Sequence, residues 1–285
     1  MRSWEFFVRT RPSAKSSSAS DVNRFDREAA TYDDRSGIPV DKRSDIVRAI
    51  GDLTGVAAGD VLLELGAGTG QLGACFPALG VHYVGLDASA PMLDVFKRRR
   101  AAAEPPITLI HANADADWPV RSASVRAVFS SRAVHLFDLD HVVTETLRVA
   151  LGPGASFTLG RVQRDASGVR STMRREMRSM LAARGFVPRD GDRGQRRVLE
   201  AFRARGATPL GPVAVAAWPD DRSALHVLDD WRRKPGLGGC EPPDAVKTSI
   251  LAELEEWAAA RFGSLNAPAA AEETYILEGV TLPAG

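Results

Sequence analysis

The stretch VLLELGAGTGQLG, residues 61–73, decides the fold of this chain. An apolar run of strand length, residues 61–65, leads into three closely spaced glycines, Gly66, Gly68 and Gly70, and then into a helix-like segment. Because glycine weakens the interiors of helices and strands, such a cluster marks a turn where φ is positive or where a ligand approaches bare backbone. A strand, a glycine-rich turn and a helix in this order are typical of nucleotide-type sites in α/β proteins.

The spacing of these glycines distinguishes the turn from two common phosphate-binding loops. A dinucleotide-binding turn requires G-x-G-x-x-G, but Gln71 stands where the third glycine would be. A P-loop requires Lys followed by Ser or Thr after its last glycine, and neither follows Gly70. A nicotinamide-dependent oxidoreductase is therefore a weak alternative.

Two acidic residues at strand ends indicate what the turn binds. Glu64 stands two residues before the first glycine, where a carboxylate would repel a pyrophosphate and attract a cationic or amino-bearing ligand. Asp87 ends the second predicted strand, where a carboxylate accepts hydrogen bonds from a ribose diol. S-adenosylmethionine has an adenosine ribose, no phosphate and a positive centre, and it fits both residues.

The pattern of the chain around this turn predicts an α/β fold. Runs of strand length at residues 61–65, 82–87, 107–112, 126–131 and 155–162 alternate with helix-like stretches, which is typical of a parallel sheet covered on both faces. Ser89 is expected to cap the helix that starts at Pro91. In the helix after the glycines, Pro77 predicts a kink or an early end near Phe76.

Several ordered motifs resemble class I S-adenosylmethionine-dependent methyltransferases, of the broad group that includes the ubiquinone and menaquinone biosynthesis methyltransferases. LLELGAGTG (62–70) is similar to the first motif of the family, VGLDASAPML (84–93) to its second and ANADADWPV (112–120) to its third. SASVRAVFSSRAVHLF (122–137) resembles the fourth strand, ETLRVALGPGASFTL (145–159) the segment after it, and FDREAATYDDR (25–35) the lead helix. The resemblance covers residues 23–162.

The resemblance implies a set of residues around the cofactor. Asp87 would hold the ribose, Ala88 and Met92 would lie beside the adenine, and Tyr32 of the lead helix would reach the cofactor. The remaining candidates are the first-motif residues, the third-motif pair and two serines near the end of the fourth strand: Glu64, Gly66, Ala67, Gly68, Gly70, Asn113, Ala114, Ser130 and Ser131.

The family fold is a Rossmann-like, doubly wound sheet of seven mostly parallel strands, of which the last is antiparallel. Residues 208–218 and 274–282 are candidates for the last two strands. We expect a disordered tail at residues 1–20 and one methyltransferase domain over residues 21–285, with the cofactor-binding core at 23–162 and a helical connection at 163–206. Residues 219–270 form a long insertion, which we interpret as a helical lid or substrate-pocket wall.

Composition narrows the partners and the compartment. The chain has 37 Lys and Arg against 36 Asp and Glu, a net charge of +1, so no strong field favours nucleic acid or an anionic membrane. Cys75 and Cys240 have no neighbouring Cys or His at metal-ligand spacing, which predicts no metal site and suits a reducing cytoplasm. No stretch approaches the roughly 18 apolar residues of a membrane span. No motif in the sequence indicates an oligomeric state.

The expected reaction is transfer of the cofactor's methyl group to a nucleophile on a small-molecule acceptor, at oxygen or nitrogen, with S-adenosylhomocysteine as the product. The protein would contribute alignment and desolvation. His135, just beyond the fourth predicted strand, is the candidate general base, ahead of His111 and His226. The alternatives are a protein that binds the cofactor without methyl transfer, as a regulator or cyclase-like protein, and a methyltransferase that acts on RNA or protein.

Overall fold

The computed structural model describes residues 25–33, 37–100, 107–188, 191–234, 236–267 and 270–283. The tail predicted at residues 1–20 lies outside these ranges. The strands are β1 (Val61–Leu65), β2 (His82–Asp87), β3 (Ile107–His111), β4 (Ala127–Ser131), β5 (Ser156–Arg164), β6 (Thr208–Asp220) and β7 (Ala271–Thr281). The α-helices are α1 (Val40–Thr54), α2 (Ala90–Arg99), α3 (Leu139–Val149), α4 (Val169–Ala183), α5 (Gly191–Arg203), α6 (Ala224–Arg233) and α7 (Asp244–Phe262).

The strands form one seven-stranded sheet in the order β3-β2-β1-β4-β5-β7-β6. β1 pairs in parallel with β2 and β4, β2 with β3, and β4 with β5. β7 runs antiparallel to β5, as two hydrogen bonds at the ends of the pair show. Leu282 N–H, just after β7, donates to the Ala155 carbonyl, just before β5, at 2.8 Å. Asp165 N–H, just after β5, donates to the Glu272 carbonyl near the start of β7 at 3.0 Å. The predicted fold class is confirmed.

The central strands read as continuous apolar runs because both faces of a parallel sheet are covered. Leu62, Leu63 and Leu65 of β1 are each fully buried.

Local capping follows the sequence signals in α2. The Ser89 hydroxyl accepts a hydrogen bond from Met92 N–H at 3.3 Å, and Pro91 lies in the first turn. The helical pattern PMLDVFKRRRAAA predicts this helix over residues 91–103, and residues 101–103 lie outside the described residues.

The segment between β1 and β2 differs from the prediction of a kinked or shortened α-helix. Gly73–Leu79 is a 3₁₀ helix that contains Pro77 and ends at Gly80 in the left-handed conformation. The early end expected near Phe76 was wrong. A 3₁₀ helix bonds each residue to the one three positions earlier, so Pro77 interrupts this short segment less than it would an α-helix.

The described chain divides into two compact units. Unit 1 comprises residues up to Arg161, Asp192–Ala216 and the residues from Tyr275 onward, and it contains the central strands. Unit 2 comprises Val162–Gly191 and Ala217–Thr274. Its core is made by apolar residues of α4, α6 and α7, among them Met173, Met177, Leu228, Trp231 and Leu254.

In the parts of the chain that the structure describes, no helix is long and apolar enough to cross a membrane. The same residues contain no group of three or more His, Cys, Asp or Glu that could hold a metal ion. Cys75 and Cys240 are both free thiols.

Candidate active site

A cavity opens in unit 1 at the carboxyl ends of β1, β2 and β4. Eight of the predicted cofactor-binding residues line it: Tyr32, Glu64, Gly66, Ala67, Gly68, Asp87, Met92 and Ser131. Nine further residues complete the lining: Phe25, Ile38, Thr69, Gln71, Leu72, Arg132, Ala133, Leu136 and Phe137. The cavity thus combines a bare glycine turn, two carboxyl groups, one guanidinium and an apolar wall.

The glycine turn is shaped by backbone angles and close packing that side chains would not allow. Gly66, Gly68 and Gly70 have φ values of +73°, +52° and +76°. A Cβ on Gly66 would lie 2.5 Å from the Cβ of Ala133, and one on Gly70 would overlap the Phe96 ring. The Gly66 and Ala67 N–H groups donate to the Leu86 carbonyl at 2.8 and 3.1 Å, which ties the turn to β2.

Asp87 links the ends of β1 and β2. Its Oδ2 accepts from Gly68 N–H at 2.7 Å and its Oδ1 from Ser89 N–H at 2.8 Å. Burial raises the pKa of Asp87, and the two backbone hydrogen bonds oppose that rise. Each carboxylate oxygen has a second lone pair, so Asp87 can still accept hydrogen bonds from a ligand.

Glu64 is a buried carboxyl group with 3% of its surface exposed. The Tyr83 hydroxyl donates to its Oε2 at 2.5 Å. Burial raises the pKa of Glu64 to about 8, the nearby Asp87 adds to the rise, and the Tyr83 hydrogen bond and Arg132 act against it. At neutral pH this rise favours the protonated, neutral form of Glu64.

Asp33 anchors the lead segment, residues 25–33, beside the glycine turn. Its Oδ1 accepts from the Thr69 hydroxyl at 2.6 Å and from Gln71 Nε2 at 2.7 Å, and its Oδ2 pairs with Arg99. Burial raises the pKa of Asp33, but these three partners together lower it below its ordinary value. This network holds Tyr32 and Phe25 as part of the cavity lining.

Gln71 connects the hydrogen bonds of Asp33 to Ile38 and Arg132, which also line the cavity. Its Oε1 accepts from Ile38 N–H at 2.9 Å and from an Arg132 guanidinium nitrogen at 3.2 Å. Arg132 follows β4 with φ at +59°, a region that non-glycine residues seldom adopt. The strained backbone and the Gln71 contact point to a fixed position for this guanidinium.

The Ser131 hydroxyl lines the cavity and is hydrogen-bonded to the Tyr275 hydroxyl at 2.6 Å. Tyr275 of β7 is fully buried, and burial raises its pKa well above the ordinary value of a phenol. Tyr275 therefore stays neutral, and its hydrogen bond holds the Ser131 hydroxyl in position.

The other six predicted residues do not line the cavity. Ser130 is buried and donates to the Leu65 carbonyl at 3.0 Å, so it joins β4 to β1. The Ala88 carbonyl is 3.0 Å from His111 Nε2. Gly70 packs on Phe96 behind the turn. Their predicted cofactor contacts stay predictions.

The two predicted residues of the third motif, Asn113 and Ala114, make hydrogen bonds within the loop that follows β3. Asn113 Oδ1 accepts from Asp115 N–H at 3.0 Å, and the Ala114 carbonyl accepts from Trp118 Nε1 at 2.9 Å. His135 lies in the short 3₁₀ helix Val134–Leu136 and is exposed, whereas its neighbours Leu136 and Phe137 line the cavity. Its role as a general base stays a prediction.

Sequence reasoning missed Thr69, Gln71 and Arg132 at the cavity. Each had a local signal, because Thr69 and Gln71 lie within or next to the glycine turn and Arg132 directly follows Ser131. Phe25 belongs to the lead-helix motif without being a predicted site residue, and Ile38 had no signal of its own. Only the folded chain places them on the lining.

The part of the chain that contributes most of the cavity lining is similar to proteins of known family. Residues 62–154 match the family model described as a methyltransferase domain. This part of the chain is similar to a methyltransferase domain. The resemblance predicted from the motifs is confirmed.

A curated relative and two solved structures extend this comparison. The chain is 35% identical over 143 residues to a demethylmenaquinone methyltransferase of Clavibacter sepedonicus; the match covers 47% of this chain and 55% of the relative, about half its length. A putative type II methyltransferase from Anaeromyxobacter dehalogenans is 22% identical, with a TM-score of 0.52, over 84% of this chain and 97% of that one. The [4+2]-cyclase SpnF is 16% identical, with a TM-score of 0.50, over 85% of this chain and 82% of that one. At these identities the likeness to the two structures shows a shared fold alone.

Proposed function

We propose that this protein transfers the methyl group of S-adenosylmethionine to a small-molecule acceptor. The observation that carries the proposal is the convergence of Glu64 and Asp87, from the ends of neighbouring strands, on one cavity beside a bare glycine turn. The match of residues 62–154 to a methyltransferase domain supports it.

The described residues fit this cofactor chemically. Asp87 keeps lone pairs for a ribose diol. A Cβ on Gly68 would meet no side-chain atom within 4 Å, so a ligand can approach the backbone there closely. Glu64 is a buried carboxyl group, and a positive charge beside it favours its ionised form. The amino and sulfonium groups of the cofactor are positive charges of this kind. Met92, which lines the cavity and is 3% exposed, offers an apolar surface for the adenine.

When bound, the cofactor supplies a methyl group on a positively charged sulfur. The residues of this chain orient the two reactants and keep water away from them. Ile38, Leu136 and Phe137 provide apolar wall, and the Asp33 network fixes the lead segment against the turn. Among the described residues that line the cavity there is no imidazole, so we favour acceptors that react without a general base or that bring a low pKa of their own.

The first experiment is calorimetric titration of the purified protein with S-adenosylmethionine, with S-adenosylhomocysteine, and with NAD as the control. We expect micromolar binding of the first two ligands and none of NAD. Methyl transfer is then measured as S-adenosylhomocysteine formation with panels of phenols, amines and carboxylic acids. Binding of NAD in preference to S-adenosylmethionine would overturn the proposal.

A second candidate is a cofactor-binding protein that does not transfer methyl. The [4+2]-cyclase SpnF shares the fold, and no imidazole lines the described cavity. Tight cofactor binding together with product formation that leaves S-adenosylmethionine intact would favour this candidate. An RNA or protein acceptor has no specific observation in its favour. The lid role of residues 219–270 stays a prediction.

A further inference from the structure

The cavity in unit 1 has one positively charged side chain among the described residues that line it, the guanidinium of Arg132. Arg132 directly follows β4, which lies beside β1, the strand of Glu64. β2, which ends at Asp87, lies on the other side of β1. The strand that leads to Arg132 is therefore two positions along the sheet from the proposed ribose contact, with Glu64 on the strand between them.

The backbone and the side chain of Arg132 are both held in place. Its backbone N–H donates to the Gly160 carbonyl at 3.0 Å, and its Nη2 donates to Gln71 Oε1 at 3.2 Å. The Gln71 amide is uncharged, so this contact orients the guanidinium and leaves its positive charge in place. The cavity thus presents a fixed cation to any ligand that enters it.

Apolar residues lie on the same part of the cavity lining as this guanidinium. Ile38 N–H donates at 2.9 Å to the same Gln71 oxygen that Arg132 contacts, so Ile38 lies beside the guanidinium. Leu136 and Phe137 follow Arg132 in the loop after β4, and both line the cavity. A ligand with an anionic group on an apolar skeleton complements both features.

The described lining residues do not provide an evident base for an acceptor that must lose a proton. They include no imidazole, the Asp87 carboxylate accepts two backbone hydrogen bonds, and the Tyr83 hydroxyl donates to buried Glu64. A phenol, with an ordinary pKa of about 10, has to be deprotonated before it attacks. A carboxylic acid, with an ordinary pKa of about 4, is already ionised at neutral pH.

We infer that the acceptor is a carboxylic acid with an apolar skeleton, and that Arg132 binds its carboxylate. This inference rests on the proposed methyl transfer and names its substrate class. The guanidinium donates to one carboxylate oxygen, and a lone pair of the other oxygen attacks the methyl carbon. The O–C bond forms as the C–S bond breaks, and the electron pair of the broken bond stays on sulfur. The products are a methyl ester and the neutral thioether S-adenosylhomocysteine, and no proton is transferred.

The test compares acceptors that share one skeleton: naphthoic acid, naphthol and naphthylamine, and likewise hexanoic acid, hexanol and hexylamine. Each is added to the full chain with S-adenosylmethionine, and kcat/KM is measured as S-adenosylhomocysteine formation. We expect an acid to exceed its counterparts at least about tenfold. Its product should release methanol in alkali, as a methyl ester does and a methyl ether or methylamine does not. Calorimetry on protein saturated with S-adenosylhomocysteine measures the affinity for each compound without turnover.

Variants of Arg132 decide whether its guanidinium is responsible. Arg132→Gln removes the charge and should weaken binding of the acid at least about tenfold, with little change for the matched alcohol or amine. Arg132→Lys keeps the charge without the planar fork and should restore part of the affinity. Arg121→Gln is the matched control, because Arg121 is exposed and outside the cavity lining. Affinity for S-adenosylhomocysteine, which should stay within about twofold in all three variants, checks that the site is folded.

Three outcomes overturn the inference. The first is that neither acid binds or reacts better than its alcohol and amine counterparts. The second is that Arg132→Gln keeps the affinity for the acid. The third is that Arg132→Gln binds S-adenosylhomocysteine at least about tenfold more weakly but methylthioadenosine, which has no carboxylate, equally well. That result would assign the guanidinium to the carboxylate of the cofactor. A protein that binds neither S-adenosylmethionine nor S-adenosylhomocysteine contradicts the proposed function itself, so the two failures are distinguished.

Discussion

At the scale of single residues, Glu64 shows how burial sets the charge of the cavity. A carboxyl group in an apolar site binds its proton more tightly than in water, because its charged form loses hydration. The pKa of about 8 therefore favours the neutral form of Glu64 at pH 7 in the ligand-free protein. The folded pKa lies above the unfolded value, so its contribution to stability is complete below about pH 4.5 and is lost as pH rises through about 8.

Replacement of Glu64 by Gln should stabilise the ligand-free protein in alkaline solution. Gln has no charge to bury, and its amide oxygen can still accept the Tyr83 hydrogen bond. We expect the free energy of unfolding to exceed that of the unmodified protein by about 1–3 kcal/mol at pH 9 and by little near pH 5. Urea unfolding at both pH values measures this.

Glu256→Gln is the matched control for that measurement, because Glu256 is exposed and its substitution should leave the unfolding free energy unchanged at either pH. A Glu64→Gln protein that is less stable than the original at pH 9 would show that Glu64 is ionised and held by a cation such as Arg132.

Asp87 is the residue on which cofactor affinity should depend most. Asp87→Ala removes both the proposed ribose contact and the bond to Gly68 N–H, so we expect S-adenosylmethionine to bind at least about tenfold more weakly. Calorimetry measures the affinity, and circular dichroism checks that the variant folds. Asp52→Ala, in the exposed face of α1, is the control. Unchanged affinity in Asp87→Ala would mean that the ribose is held elsewhere.

At the scale of elements, the turn after β1 depends on contacts with α2. Gly70 faces the buried ring of Phe96, and Gly73 faces both Phe96 and the Tyr83 hydroxyl, so the chain packs backbone directly on aromatic rings. The sequence indicated glycines that need positive φ. It did not indicate this packing, because Phe96 lies 26 residues further on, in a different helix.

Gly70→Ala and Gly55→Ala separate these two effects. Both glycines have positive φ, +76° and +66°, but a Cβ on Gly55 meets no atom within 4 Å. We expect Gly55→Ala to cost about 1 kcal/mol of stability from backbone strain and Gly70→Ala to cost about 1–3 kcal/mol more from overlap with Phe96. Equal losses in urea unfolding would show that Phe96 moves aside without cost.

At the scale of the whole molecule, the cavity belongs to one of two units with separate cores. Every residue that lines it lies in unit 1, whereas α4, α6 and α7 form a helical core of their own. A ligand in the cavity should therefore stabilise the two units unequally.

Hydrogen exchange with and without S-adenosylmethionine tests this expectation. Amides of the lead segment, residues 25–33, and of the turn at Gly66–Gly70 should exchange at least about tenfold more slowly with the ligand. Amides in the unit 2 core, around Met177 and Leu254, should change less. Greater protection in unit 2 than in unit 1 would contradict the placement of the cofactor in this cavity.

The sequence by itself determined the succession of strands along the chain, the glycine turn, the Ser89 cap and the two acidic residues at strand ends, because each depends on neighbours within a few positions. It also determined the fold class through the ordered motifs. It did not determine the 3₁₀ form of Gly73–Leu79, a segment that contacts α1 and β2 in the folded chain.

Only the tertiary structure decided which side chains meet at the cavity. Asp33 reaches Gln71 across 38 residues, and Ser131 meets Tyr275 across 144. The cluster of Arg164, Arg222 and Glu273 in unit 2 likewise joins residues up to 109 positions apart. Local propensity carries no information about such pairs, because they form only when separate elements pack and exclude water from the groups between them.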